Sequence, residues 1–207
     1  PSMETETSPK LFIIAGCNGA GKTTAAMTLL PEMLGCNQFV NADEIAHGLS
    51  PFDPASVAFT AGRIMLARVA ILMAARATFA IETTLATRSY AQLVKAARKA
   101  GYTVELLFVW LASPQAAKVR VARRVAEGGH DIPDHIIERR YAAGLANLFD
   151  VFMPIVDFWT IVDNSQGLYE IVASTLKIEN PTTYSQIKAT YDRNRNGAPS
   201  VATEDRI

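Results

Sequence analysis

Residues 16–24 read Gly-Cys-Asn-Gly-Ala-Gly-Lys-Thr-Thr. Gly16, Gly21, Lys22 and Thr23 meet the phosphate-loop spacing G-x-x-x-x-G-K-[ST]. The chemistry of that spacing is phosphate binding. Glycines let the backbone wrap a phosphate with its N–H groups turned inward, and the helix that follows offers the same phosphate its positive end. Gly16, Cys17, Asn18, Gly19, Ala20, Gly21, Lys22, Thr23 and Thr24 are therefore the candidate nucleotide-binding residues. Lys22 reaches the β- and γ-phosphates and the Thr23 hydroxyl ligates Mg²⁺. The flanks agree, with a strand-length apolar run at 11–15 and a helix-forming run at 25–30.

The loop needs a strand before it and a helix after it, and the rest of the chain repeats that alternation. Strands are expected at 11–15, 38–40, 78–82, 102–111 and 158–162. Helices are expected to about residue 33, from Asp53-Pro54 to about 77, then at 88–100, 114–127, 134–152 and 168–176. Asp53 and Ser113 read as N-caps before proline, and Gly101 as a helix-closing residue. Alternating strands and helices predict an α/β three-layer sandwich, a parallel sheet with helices on both faces. Residues 1–10 read as an N-terminal tail, 11–178 as one P-loop kinase domain with a lid at about 114–141, and 179–207 as a peripheral extension.

Ligands of such sheets bind beyond the carboxyl ends of the strands. Asp43 follows the second strand, where it is either the N-cap of 44–49, worth about 1 kcal/mol, or a base facing a substrate. Glu82 ends an otherwise apolar third strand, an awkward charge unless it serves a ligand or a metal-bound water. Asp163-Asn164-Ser165 after the fifth strand either line the base or form a turn. No acid follows the fourth strand, and the absence of an Asn-Lys-x-Asp guanine motif favours ATP.

Cations concentrate at Lys118, Arg120, Arg123, Arg124, Arg139 and Arg140, around Gly128-Gly129-His130-Asp131-Ile132-Pro133. Two arginine-bearing segments joined by Gly-Gly suit a lid over phosphates, because phosphoryl transfer asks the protein mainly to position and neutralise. A solvated helix face is the plain alternative for any one of them. His47, His130 and His135 carry no catalytic assignment, and no His/Cys/acid spacing suggests zinc.

Composition excludes other classes. With 20 basic and 20 acidic residues among 207, no net field draws the chain to nucleic acid or anionic membrane. Cys17 and Cys36 do not form a disulfide framework, which with the polar, acidic start predicts a cytoplasmic protein. Residues 57–77 are apolar enough to suggest a membrane span. They hold Arg63, Arg68 and Arg76, each costing roughly 2.5 kcal/mol at bilayer depth, so a buried core helix is expected instead.

Taken together, residues 16–24, Asn41-Ala42-Asp43-Glu44, Ala80-Ile81-Glu82-Thr83-Thr84-Leu85, the GGHDIP-centred stretch 123–141 and Val162-Asp163-Asn164-Ser165 resemble the zeta-toxin family of P-loop kinases, over residues 11–165. The resemblance implies an adenylate-kinase-like five-stranded parallel sheet in the order 2-3-1-4-5 with a helical lid. It implies phosphorylation of a sugar nucleotide such as UDP-N-acetylglucosamine, with ATP and Mg²⁺, and a possible antitoxin partner. Asp43 is then the base; Glu82, Thr84 and, on the lid, Arg120 hold substrate; Arg124 and Arg139 or Arg140 clamp phosphates. The chain departs from that family in reading Gly-Cys-Asn where Gly-x-Pro is frequent, and Thr83 where glycine is frequent. The alternatives are a kinase of another small acceptor, such as a nucleoside, sugar or antibiotic hydroxyl, and a nucleotide switch or ATPase acting on a protein partner.

Overall fold

A computed structural model of the chain describes residues 8–32, 34–129 and 131–197. Met33, His130 and both chain ends lie outside them.

Six strands form one sheet: β1 (Lys10–Ala15), β2 (Phe39–Val40), β3 (Phe79–Thr83), β4 (Thr103–Trp110), β5 (Phe158–Asp163) and β6 (Glu170–Ser174). Their order is β2-β3-β1-β4-β5-β6. The first five are parallel, in the expected 2-3-1-4-5 order, and β6 adds antiparallel to β5. The helices are α1 (Lys22–Glu32), α2 (Ala42–Leu49), α3 (Ala58–Ala74), α4 (Tyr90–Lys99), α5 (Pro114–Ala126), α6 (Asp134–Asn147) and α7 (Pro181–Gly197).

Strand β1 is buried on both faces, as a central parallel strand must be. Leu11, Ile13 and Ala15 join the larger core cluster, with residues of α3, α4 and α7. Phe12 and Ile14 turn to the opposite face, against Ala26 and Leu30 of α1. The α5–α6 pair closes over a third cluster, in which Ala117, Val121, Ile137 and Tyr141 meet Cys17 and Ala20 of the phosphate loop. The loop is therefore wedged between strand ends and the helices of the expected lid.

Local signals place several ends. The Ser113 hydroxyl accepts from Ala116 N at 3.1 Å, with proline in the first turn of α5. The Asp53 carboxylate accepts from Ser56 N, although the turn it caps is a 3-10 helix, Pro54–Val57, that only then becomes α3. Gly101 closes α4 at φ 81°, with its N–H on Arg98 O.

Three expectations are corrected. Residues 168–176, expected helical, contain β6, because the open edge of β5 offers a ladder that buries Val172 and Ala173 completely or nearly so. Residues from 179 onward, expected at the periphery, supply α7, whose Ile187 and Tyr191 reach the main core. The apolar helix expected to be buried is a surface helix. Only 22% of its most apolar window is covered, since α3 packs through Ala61, Met65, Val69 and Leu72 and leaves its outer side bare.

Candidate active site

The phosphate loop runs from the end of β1 into α1, and three of its glycines hold conformations closed to most side chains. Gly16, at φ 142°, would bring an added Cβ within 2.3 Å of Val109 O; at Gly21, φ 92°, it would lie 2.7 Å from Asn164 Nδ2 and 2.8 Å from the Tyr169 hydroxyl. Those two groups hold the loop from behind. Asn164 Nδ2 donates to Ala20 O at 2.8 Å and the Tyr169 hydroxyl to Gly21 O at 2.7 Å. With those two carbonyls bonded behind it, the loop keeps its shape without a ligand. Arg120 in turn donates to Asn164 O and Ser165 O, tying α5 to the end of β5.

Lys22 and Glu82 form the charged centre. Lys22 is 7% exposed, and its ammonium donates to Cys17 O at 3.0 Å and lies 3.7 Å from Glu82 Oε1. Glu82 Oε2 accepts from the Thr23 hydroxyl at 2.8 Å and from Asn41 Nδ2 at 2.9 Å. Burial pushes the Glu82 carboxyl above its ordinary value of 4.5, against the pull of Lys22 and the Thr23 hydroxyl. Burial also raises the Cys17 thiol to about 11, so it is uncharged at neutral pH.

Asn41 is the N-cap of α2. Its Oδ1 accepts from Asp43 N at 2.9 Å, so the capping expected of Asp43 falls to its neighbour. The Asp43 carboxylate is left without a hydrogen bond among the described residues. It lines a cleft of about 250 Å³ whose other walls include Gly21, Lys22, Thr23, Asn41 and Glu82. Arg120 and Arg124 of α5 line the same cleft.

The geometry of the α5–α6 pair comes from glycine and ion pairs. Gly128, at φ 93°, donates to Val125 O, and Gly129 donates to Arg124 O at 2.8 Å, the paired bonds that end a helix and reverse the chain. Lys118 then bridges to Asp134 at 3.2 Å and Glu138 at 2.6 Å, fastening α6 beside α5. Residues 140, 144 and 147 share the face of α6 that meets the site. Arg140 donates to Asn18 Oδ1 of the phosphate loop at 3.2 Å. Burial lowers its pKa while the Asp43 charge opposes that shift. Gly144 lets α6 approach Thr84 O, to which an added Cβ would come within 2.5 Å. Asn147 Nδ2 donates to Leu85 O at 2.7 Å, holding Leu85 at φ 55°.

The structure thus gathers Lys22, Thr23, Asp43, Glu82, Arg120 and Arg124 around one cleft, with Arg140 against the loop. It does not bring in every candidate. Thr84 lies outside the lining, its hydroxyl accepting weakly from Ala86 N at 3.4 Å. Arg139 is exposed and outside the lining, and Arg123 pairs with Glu127 at 3.0 Å. Sequence reasoning gave no role to Asn41, Asn147 or Tyr169. Each is an isolated polar group whose partner is distant in the chain, and only the buried asparagine beside a candidate acid offered a signal.

The residues fit ATP and Mg²⁺. A glycine cradle that a Cβ would fill, a shielded ammonium and paired hydroxyl and carboxylate oxygens suit a polyphosphate and a hard cation.

A family model described as an AAA domain, AAA_33, matches residues 11–145. An uncharacterized protein of Haemophilus influenzae is 28% identical over 137 residues, 64% of this chain and 92% of its own length. Among solved structures, one from the PezAT chromosomal toxin–antitoxin system of Streptococcus pneumoniae aligns with TM-score 0.65 and 16% identity, over 94% of this chain and 90% of that one. The AvrRxo1-ORF1:-ORF2 complex with ATP aligns with TM-score 0.74 and 19% identity, over 96% of this chain and 67% of that one. At these identities the structural likeness is one of fold, an α/β sandwich with a mainly parallel sheet and a phosphate loop.

Proposed function

The chain belongs to this AAA-domain family, matched over more than half its length, and from that premise we propose that it is an ATP- and Mg²⁺-dependent kinase of a small-molecule hydroxyl. The observation that carries the reading is Asp43. It is relieved of capping by Asn41 and opens on the same cleft as Lys22 and Thr23. A general base needs a carboxylate free to accept the acceptor's proton, and a capping aspartate would not be free.

Lys22 and the loop amides hold the β- and γ-phosphates, and the Thr23 hydroxyl with the Glu82 carboxylate forms the metal side. Bound Mg²⁺ would supply charge neutralisation at the phosphates. The Thr23–Glu82 contact supports placing Glu82 there rather than on the acceptor. Asp43 takes the hydroxyl proton. Arg124 and Arg140 neutralise the transferring group, a role for which the exposed Arg139 has no comparable support. The acceptor class that the zeta-toxin resemblance implies is a sugar nucleotide such as UDP-N-acetylglucosamine. One neighbour comes from a toxin–antitoxin system and the other from a two-chain complex, so a restraining protein partner belongs to the same reading.

The test is Asp43→Asn, which keeps size and removes basicity. Assayed against a panel of sugar nucleotides, nucleosides and sugars, phosphoryl transfer is expected to fall by about 10²- to 10⁴-fold. ATP affinity and melting temperature should stay close to wild type. Undiminished transfer by Asp43→Asn would leave this kinase reading without its base.

A further inference from the structure

Helix α3 presents an outer face that no described residue covers and that the catalytic proposal does not use. Phe59 is 70% exposed, Leu66 58%, Ile71 59% and Ile64 41%. A single surface apolar residue needs no explanation, but a contiguous strip on one helix does. The strip has internal order. Residues 63, 67, 70 and 74 follow the 4-3-4 spacing of a helix–helix seam, and they are Arg63, Ala67, Ala70 and Ala74, all exposed. Phe59 and Leu66 flank the seam on one side and Ile64 and Ile71 on the other, at the angles that 3.6 residues per turn dictates.

Charge selects the occupant. From residue 54 to 77 the chain holds Arg63, Arg68 and Arg76 and no acid. Arg68 is engaged with Gln38 at 2.7 Å and Arg76 with Ala100 O at 2.9 Å. Arg63 has no hydrogen bond or ion pair among the described residues, and it sits in the middle of the apolar strip. A second copy of the chain would bring further arginines to the same face. A bilayer would take the strip's centre deepest, where a cation is least tolerated. Small residues along the seam instead admit a close helix, and a guanidinium among apolar neighbours calls for a carboxylate. We infer that the outer face of α3 docks an amphipathic helix of a partner protein, one with an apolar seam and an acidic residue set opposite Arg63. This surface is separate from the cleft and does not depend on the kinase reading.

The probe is a displayed library of helical 20-residue peptides with a fixed apolar seam and flanking positions drawn from Glu, Gln and Lys. Selection on the full chain is expected to enrich Glu at one register at least tenfold, and selection on Arg63→Glu to enrich Lys there. The winning peptide should bind Leu66→Glu/Ile71→Glu at least tenfold more weakly, with the melting temperature and ATP affinity of that variant unchanged. Equal enrichment on wild type and on the double variant would overturn the proposal. So would self-association that the double variant abolishes, or phosphatidylserine vesicles binding through this face.

Discussion

Asn41 joins the two sides of the candidate reaction. Through one amide it fixes the Asp43 backbone and donates to the Glu82 carboxylate that also receives the Thr23 hydroxyl. Asn41→Ser keeps a capping oxygen and deletes the donor to Glu82. The expected result is a melting temperature within a few degrees of wild type and about tenfold weaker Mg²⁺ dependence of nucleotide binding, read by titration with and without the metal. A purely capping Asn41 would leave both the melting temperature and the Mg²⁺ dependence unchanged in this variant. Glu82 carries a sign that can be worked out. Its carboxyl is raised by burial, so in the folded apo protein the charged form is disfavoured. Its contribution to stability is full below the ordinary value of 4.5 and is lost as pH rises through the raised value. Glu82→Gln is therefore expected to melt at or above the wild-type temperature at pH 7.5, with the difference closing below about pH 4.5. The same variant should lose the Mg²⁺-dependent part of ATP affinity. Lys22 and Thr23 were legible in the sequence because their spacing alone implies the chemistry. Asn41 was not, because its partner lies 41 residues away.

At the scale of elements, α5 and α6 behave as one unit whose geometry is set by the Gly-Gly turn and the Lys118 bridges. Gly129 is the sensitive point. A Cβ there would come within 2.6 Å of Arg124 Cγ and 2.9 Å of Arg124 O, so backbone or arginine must move. Gly129→Ala is expected to weaken ATP binding or turnover several-fold by displacing Arg124 from the cleft. It should leave the urea midpoint nearly unchanged, because Gly129 is exposed. Equal ATP kinetics in wild type and variant would detach Arg124 from the site. The turn was readable from composition, whereas which arginines face inward was not. Positions 120, 123 and 124 all lie within one turn, and small differences in helix orientation send Arg123 to Glu127 and Arg120 to the end of β5. Residues 168–176 contain a strand rather than the expected helix for a related reason. These residues allow either state, and the free edge of β5 decides between them.

Across the whole molecule, the family match ends at residue 145, yet the site does not. The carbonyls of Ala20 and Gly21 are held by Asn164 and Tyr169, and β5, β6 and α7 all follow the matched region. With no net charge to organise it, the chain depends on local clustering of cations and on one shared core to set the loop. Helix α7 tests that dependence. Ile187 is fully buried in the main cluster, Tyr191 is nearly so, and the Tyr191 hydroxyl donates to Asp150 beside α6. Ile187→Ala should therefore lower the unfolding free energy by about 2–5 kcal/mol, the range for large-to-small changes in a packed core. Because α7 shares that core with β1 and the helices around it, the loss should appear as a shift of one cooperative urea transition with an unchanged slope. Nucleotide affinity, measured well below the transition, should remain within about twofold, since no residue of α7 lines the cleft. A separate low-stability transition, with the main midpoint unmoved, would make α7 an appendage and return the C-terminal segment to the periphery that its polar composition first suggested.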